Sequence, residues 1–486
     1  MGDEMIYIVI LLVYLAGMLV IGFISSKKVT NSKSYYTSDR NVSAAVTGFS
    51  YSSTQLSSGS TIGMPATVYT QGYSYMGTPM AAAAAPWFTF LLTGERVRKI
   101  SERVDAIDYG DIFRARFGNA SKILYELLII VFAIPTIISQ FAAAGSSVQS
   151  LTGIPYNVAI PMIAVVLTIY TMSGGMNSVA LTDYIQGIIM IAGFGILAAI
   201  LLTRAGGFTA MHEGIAATDP DLLRLTGKAS KTWVICCIIT WSILMVGGSI
   251  TSVVRFLIPK DLKALRGALG YSVFFNIFVL SACGVIGLCG ITLLPGLEST
   301  DRLVPTLIGT YMTPILGGIL ISAVIAAIMS SVDSTLLLCS AAAEGLYIGY
   351  INPNASAKQQ LRVGRAITVV VAAVAMVMAF KPFTAIQWLV AFSFNTWAGA
   401  FTVPVLFALW SPGTTKTAGF CAMAAGAAAA LAWYAAGYIM YNSFSNWPFG
   451  IWPGIFGSIV SLIVILAVSA FTKPIDEETR EIFYLE

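Results

Sequence analysis

Runs of about 20 apolar residues recur from one end of the chain to the other, separated by short polar connections. A helix needs roughly 20 residues to cross a hydrocarbon core about 30 Å thick, whereas a barrel would show short alternating segments. The pattern predicts an all-α polytopic membrane protein with about thirteen transmembrane helices: 5–25, 43–69, 75–96, 121–148, 156–174, 179–203, 231–254, 267–294, 314–345, 363–380, 383–410, 417–440 and 448–472. The first span has no basic flank before it and no small-residue cleavage motif after it, so it reads as a retained helix.

Three spans depart from plain apolar helix. The second contains FSYSSTQLSSGSTIGMPA, Phe49 to Ala66, with eight Ser/Thr residues, Gln55, two glycines and Pro65. Lipid penalises each unpaired polar group at that depth, so the stretch is either a small-residue packing face or an interrupted helix whose freed carbonyls bind something. The seventh has a shorter counterpart, MVGGSITS, Met245 to Ser252. Two interrupted segments five spans apart point to inverted repeats.

The ninth span places Asp333 in AAIMSSVDSTLL, Ala326 to Leu337, with no other charge between Pro314 and Ala343. At 3.6 residues per turn, Ala327, Ser330, Ser331 and Ser334 share one face and Asp333 lies at its edge. Hydroxyls, carbonyls and a carboxylate suit a hard cation. Alternatively, Asp333 reaches water near the end of the span, or is protonated. Asp183, in SVALTDYIQG, sits near the predicted inner end of the sixth span, and Glu126 and Glu344 read as interfacial charges.

Composition narrows the class. The chain is 57% hydrophobic and 10% charged, with a mean hydropathy of +0.81, which excludes a soluble globular domain. With the N-terminus outside, the inner segments hold 21 of the 27 Lys and Arg residues; Arg204, Arg224, Lys228, Lys231, Arg302 and Lys381 are the 6 outer ones. That asymmetry predicts a C-terminus in the cytoplasm. No lysine or arginine falls mid-span, and no basic tract suggests nucleic acid. The six cysteines lie in apolar segments and read as core residues. The lone histidine, His212, is in a predicted outer loop, which excludes a histidine proton relay and a Ser-His-Asp site.

Three stretches carry a resemblance: GIPYNVAIPMIAVVLTIYTMSGGMNSVALTDYIQG, Gly153 to Gly187; RAGGFTAMHEGIAATDPDLL, Arg204 to Leu223; and LVPTLIGTYMTPILGGILISAVIAAIMSSVDSTLLLCSAA, Leu303 to Ala342. With them the chain resembles the sodium/solute symporter family over nearly its whole length, and most closely its pantothenate and proline branch. The resemblance implies a LeuT-type 5+5 inverted repeat, with residues 1–42 as an extra helix and first loop, 43–410 as the ten-helix transport core, 411–472 as two extra helices and 473–486 as a cytoplasmic tail. It implies a plasma-membrane importer coupled to Na+, with no cofactor, no enzyme activity and no obligatory protein partner.

Carried over by position, the sodium ligands would be the carbonyls of Ser53, Leu56 and Ala327 and the hydroxyls of Ser330 and Ser331. Asp183, Asp333 and Ser334 would form a second cation site or the ion exit path. Asp333 departs from the family, which has a hydroxyl or amide there, and Gln55 stands where proline transporters carry an aspartate. Candidate substrate contacts are Gln55, Ser57, Ser58, Gln140, Trp241, Ser249 and Asn395. The solute expected is a small carboxylate such as pantothenate or another monocarboxylate. A proline or other amino-acid carrier is the alternative, and a transporter-like sensor or proton-coupled carrier is the reading from another class.

Overall fold

A computed structural model describes residues 3–27, 29–382 and 384–484. Lys28, counted in the charge asymmetry, and Phe383, the predicted start of the eleventh span, lie outside the described residues. The described residues are mostly helical, as lipid requires of backbone that must satisfy its own hydrogen bonds. The principal helices are α1 (Asp3–Ser26), α2 (Ala44–Gln55), α3 (Met64–Gln71), α4 (Tyr73–Thr89), α5 (Glu95–Arg103), α6 (Tyr109–Phe117), α7 (Asn119–Thr152) and α8 (Tyr156–Arg204). They continue with α9 (Lys231–Trp241), α10 (Leu262–Leu293), α11 (Pro314–Leu346), α12 (Ala357–Ala379), α13 (Ile386–Trp410), α14 (Lys416–Tyr441), α15 (Pro453–Phe471) and α16 (Glu477–Tyr484).

Nine helices among the described residues are long and apolar enough to cross a membrane. One of them, α8, has 49 residues and would extend about 74 Å if straight. It covers two predicted spans, and its helical geometry fails at Gly175 (φ +55°, ψ −148°). A Cβ there would lie 2.4 Å from the Tyr35 carbonyl oxygen, so only glycine fits both the dihedral and the space. The predicted spans 43–69, 75–96 and 231–254 fall on shorter or interrupted helices. Starts are set by side-chain caps: Ser230 on α9, Asp261 on α10, Ser356 on α12 and Thr415 on α14 each accept a backbone N–H.

The second predicted span is broken. α2 ends at Gln55, Leu56 leaves helical geometry (φ −87°, ψ 83°), and the chain resumes through a wide turn, Gly59–Gly63, into α3. Pro65, in the first turn of α3, has no N–H to place. The seventh span is broken twice, at Ser242–Leu244 after α9 and again at Ser249, between the short turns Met245–Gly248 and Ile250–Val253. Gly247 abuts α13, since a Cβ there would meet the Thr402 nitrogen at 2.2 Å. The two interrupted regions are tied together at one end: the Val42 N–H donates to the Ile258 carbonyl (3.1 Å) and the Lys260 N–H to the Val42 carbonyl (3.0 Å).

Apolarity does not decide position in the bundle. In the most apolar window of α11, 83% of residues are buried, and in α13 89%, against 28% in α12 and α15. α11 and α13 therefore pass through the protein interior, while α12 and α15 present most of their surface outward.

Candidate functional site

The α2 break faces the middle of α11. The Ser330 hydroxyl lies 2.9 Å from the Ser53 carbonyl oxygen and 3.1 Å from that of Ala327. The Ser331 hydroxyl lies 3.1 Å from the Thr54 carbonyl and 3.2 Å from the same Ala327 carbonyl. Three carbonyl and two hydroxyl oxygens thus converge, all from buried residues. Each hydroxyl has one proton and two lone pairs; turning the lone pairs inward would make a neutral, all-oxygen cage for a hard monovalent cation. The arrangement needs the break, because α2 carbonyls in its last turn lack helical partners. Thr54 supplies a carbonyl that the sequence did not single out. Leu56, which it did, is the first residue past the helix, and its N–H closes onto the Ser52 carbonyl.

A charged network adjoins this cage. The Asp183 Oδ2 accepts from Ser50 Oγ (2.5 Å), Thr54 Oγ1 (3.4 Å) and Arg255 Nη2 (3.1 Å). Arg255 also donates to Ser334 Oγ, to Ser50 Oγ (3.1 Å) and to the Thr251 carbonyl (2.6 Å). Asp333 Oδ2 accepts from the Tyr170 hydroxyl (2.7 Å) and its Oδ1 from Ser334 (3.1 Å). Asp183 and Asp333 are wholly buried, and Arg255 is 1% exposed.

Two sequence expectations are corrected here. Asp333 does not reach water at the end of its span; it is enclosed and hydrogen-bonded. A cation does lie in the interior: Arg255, just beyond the seventh predicted span, turns inward because the chain after Ser249 runs through the protein core. A charge directly after an interrupted helix was the signal that could have found it. Tyr170 gave none, being one more aromatic in an apolar run.

The candidate substrate residues divide. Gln55 Oε1 accepts from Asn276 Nδ2 (2.8 Å), and Gln140 Oε1 accepts from the Ser58 N–H (2.8 Å), the first N–H freed past the break. Ser57 Oγ accepts from the Gly59 N–H (3.2 Å). Ser58 Oγ, Trp241 Nε1, Ser249 Oγ, Asn276 Oδ1 and Gln387 Oε1 are buried without a protein hydrogen-bond partner. These atoms line the two broken helices and the elements packed on them, with Gln387 beside Gly59 and Gly63 and the Trp241 ring 6.0 Å from Phe394. Asn276 is the one amide in the apolar run YSVFFNIFVL, a signal the sequence did offer. Asn395 is not brought to this group: its Oδ1 accepts from the Gly454 N–H (2.9 Å) and its Nδ2 donates to the Ala391 carbonyl (2.8 Å), clamping α13 to the start of α15.

Residues 35–426 match the sodium:solute symporter family. The chain belongs to that family. It is a multi-pass membrane transporter rather than an enzyme, and Na+ is its coupling ion. Sodium/proline symporters of Staphylococcus aureus, from strains NCTC 8325 / PS 47 and COL, are each 30% identical to it over 481 residues, covering 96% of this chain and 92% of the relative. Among solved structures, a Na+-coupled sialic acid symporter in a substrate-bound outward-open state superposes with a TM-score of 0.79 at 20% identity, covering 96% of this chain and 98% of the other. MhsT in complex with L-phenylalanine gives 0.57 at 14% identity, covering 89% and 99%. These likenesses establish the LeuT-type fold that the resemblance implied.

Proposed function

We propose that this symporter imports a small carboxylate, pantothenate or another monocarboxylate, across the plasma membrane by alternating access, with its N-terminus outside and its C-terminus in the cytoplasm. The observation that carries the reading is the juxtaposition of the five-oxygen cage with unpartnered polar atoms along the same broken helices. Sodium would bind the carbonyls of Ser53, Thr54 and Ala327 and the hydroxyls of Ser330 and Ser331, with Leu56 beside the break. Closing the cage draws α2 onto α11, which couples the ion to the substrate walls. The residues 43–410 form the transport core in this reading.

The substrate carboxylate would be held by neutral donors, the Ser58 and Ser249 hydroxyls and the Trp241 N–H, and by the freed backbone at the breaks. Asn276 Oδ1 and Gln387 Oε1 supply acceptors for an amide or hydroxyl elsewhere on the solute. Asp183, Asp333 and Ser334 lie on the ion path beyond the cage, with Arg255 neutralising Asp183. Proline is the second reading, favoured by the 30% identity to sodium/proline symporters; Gln55, engaged with Asn276, offers its ammonium no negative charge.

Uptake of labelled pantothenate, lactate and proline into proteoliposomes under an imposed inward sodium gradient tests both parts. Concentrative carboxylate uptake that collapses when the gradient is dissipated is the expected result. Uptake indifferent to the gradient would sink the coupling mechanism, and accumulation of proline alone would overturn the substrate.

A further inference from the structure

We infer that Gln140 is a positioning residue for the sodium site: its side-chain carbonyl holds the peptide just past the α2 break and so sets where the Ser53 and Thr54 carbonyls stand. The inference rests on the five-oxygen cage proposed above as the sodium site, and it gives Gln140 a role other than the solute contact expected from the sequence. Gln140 lies in α7, is wholly buried, and its Oε1 accepts from the Ser58 N–H at 2.8 Å.

The break needs an anchor because its backbone is otherwise closed on itself. Helical geometry is lost at Leu56 and regained by Ser58 (φ −53°, ψ −34°). Across it, the Leu56 N–H donates to the Ser52 carbonyl (3.0 Å) and the Ser57 N–H to that of Gln55 (3.2 Å). The Gly59 N–H donates to Ser57 Oγ (3.2 Å), and those of Ser60 and Thr61 to the Ser57 carbonyl (2.9 and 3.0 Å). From Leu56 to Thr61, every N–H but that of Ser58 is thus satisfied inside the segment. The Ser58 N–H reaches another helix instead. A buried N–H left without an acceptor is costly, so this bond ties the broken segment to α7.

Gln140 is held in turn. Its Nε2 donates to Ser139 Oγ (3.2 Å), which donates to the Thr136 carbonyl (2.6 Å). A reversed amide would set Nε2 against the Ser58 N–H, two donors face to face, so the network decides the orientation. α7 packs against α11, the helix that carries Ser330 and Ser331. The break is therefore strung between two neighbouring helices: its Ser53 and Thr54 carbonyls meet α11, and its Ser58 N–H meets α7. With both ends fixed, the two carbonyls stand in place before an ion arrives, and the ion does not have to order residues 56–58 as it binds. Ser58 Oγ, which has no protein partner, stays available to the solute.

The sodium affinity of the solute-free, full-length protein tests this role, read from the rise in Tm as NaCl replaces choline chloride at constant ionic strength. Each variant is referred to its own sodium-free Tm, which separates lost affinity from lost stability. Gln140→Leu, which keeps most of the volume and removes the acceptor, should weaken sodium binding about 5-fold. Gln140→Asn, a milder change that leaves the amide one methylene short, should lose a similar factor. Gln140→Glu, which restores an acceptor at the same reach, should bind sodium within about 2-fold of the parent; a loss as large as in Gln140→Leu would count against the acceptor. Asn395→Ala removes a buried amide from the clamp between α13 and α15 and should leave sodium affinity unchanged. Parent-like sodium affinity in Gln140→Leu and Gln140→Asn would overturn the role, in favour of a packing residue if the sodium-free Tm falls and of a solute contact if only the solute KM rises. Ser330→Ala reports on the cage itself: weaker binding there, with none in the Gln140 variants, would refute this role alone, and unchanged binding in Ser330→Ala would remove the cage and this role with it.

Discussion

The oxygen cage and the Asp183–Arg255–Asp333 network share α2 and α11, yet they solve the burial of polar atoms differently. The cage is neutral: its carbonyls and hydroxyls bond to one another at 2.9–3.2 Å and can exchange those bonds for a cation without leaving a charge stranded. The network is ionic, and Arg255 serves as a covalently attached cation for Asp183. An ion that must bind and leave is better served by dipoles, because a full charge in low dielectric would hold it too firmly or collapse onto a partner. A fixed structural cation suits the neighbouring carboxylate for the opposite reason.

The contrast can be broken most forcefully at Arg255. Arg255→Gln leaves Asp183 buried without its ion pair and should cost about 3–5 kcal/mol of stability, read as a loss in denaturant or thermal unfolding. Adding Asp183→Asn should recover most of that loss; if it does not, Arg255 stabilises the fold through something other than the pair. Asn395→Ala, in a polar site away from the cage, should cost about 1–3 kcal/mol through the orphaned Gly454 N–H, with no change in sodium dependence.

Smaller effects should appear at the cage itself. Ser330→Ala removes one oxygen of five and should raise the sodium concentration for half-maximal uptake about 10-fold, or roughly 1.4 kcal/mol, while saturating sodium restores the rate. An unchanged sodium requirement would count against the cage as the binding site. Asp333→Asn keeps an acceptor for Tyr170 and removes only a charge, so the sodium requirement should rise about 3-fold with little change in folding. A 10-fold or larger effect would move Asp333 from the ion's surroundings into its coordination.

Much of the fold was legible because lipid enforces it. The apolar runs, the polar stretch Phe49–Ala66 and the serine face of α11 are written in local composition, while the site of the break after Gln55 is not. What composition could not show was partnership across hundreds of residues. Ser330 and Ser331 were readable as ligands, but their opposition to Ser53 and Thr54, 277 positions away, is a matter of packing. Asn395 looked equivalent to Gln140 as a lone amide in an apolar helix; only the approach of α15 assigns it to a clamp. Arg255 sat one residue past the seventh predicted span, and the irregular turns that carry it inward follow no apolar period.

The sequence by itself therefore determined a polytopic helical protein, its polar stretches and most, though not all, of the residues from which an ion site could be drawn. Hydropathy and helix chemistry are local and suffice for that. Tertiary structure alone decided which apolar helices are interior, α11 and α13 rather than α12 and α15, and which oxygens meet. Burial and coordination depend on neighbours distant in the chain, and an apolar residue is equally at home against lipid or against another helix.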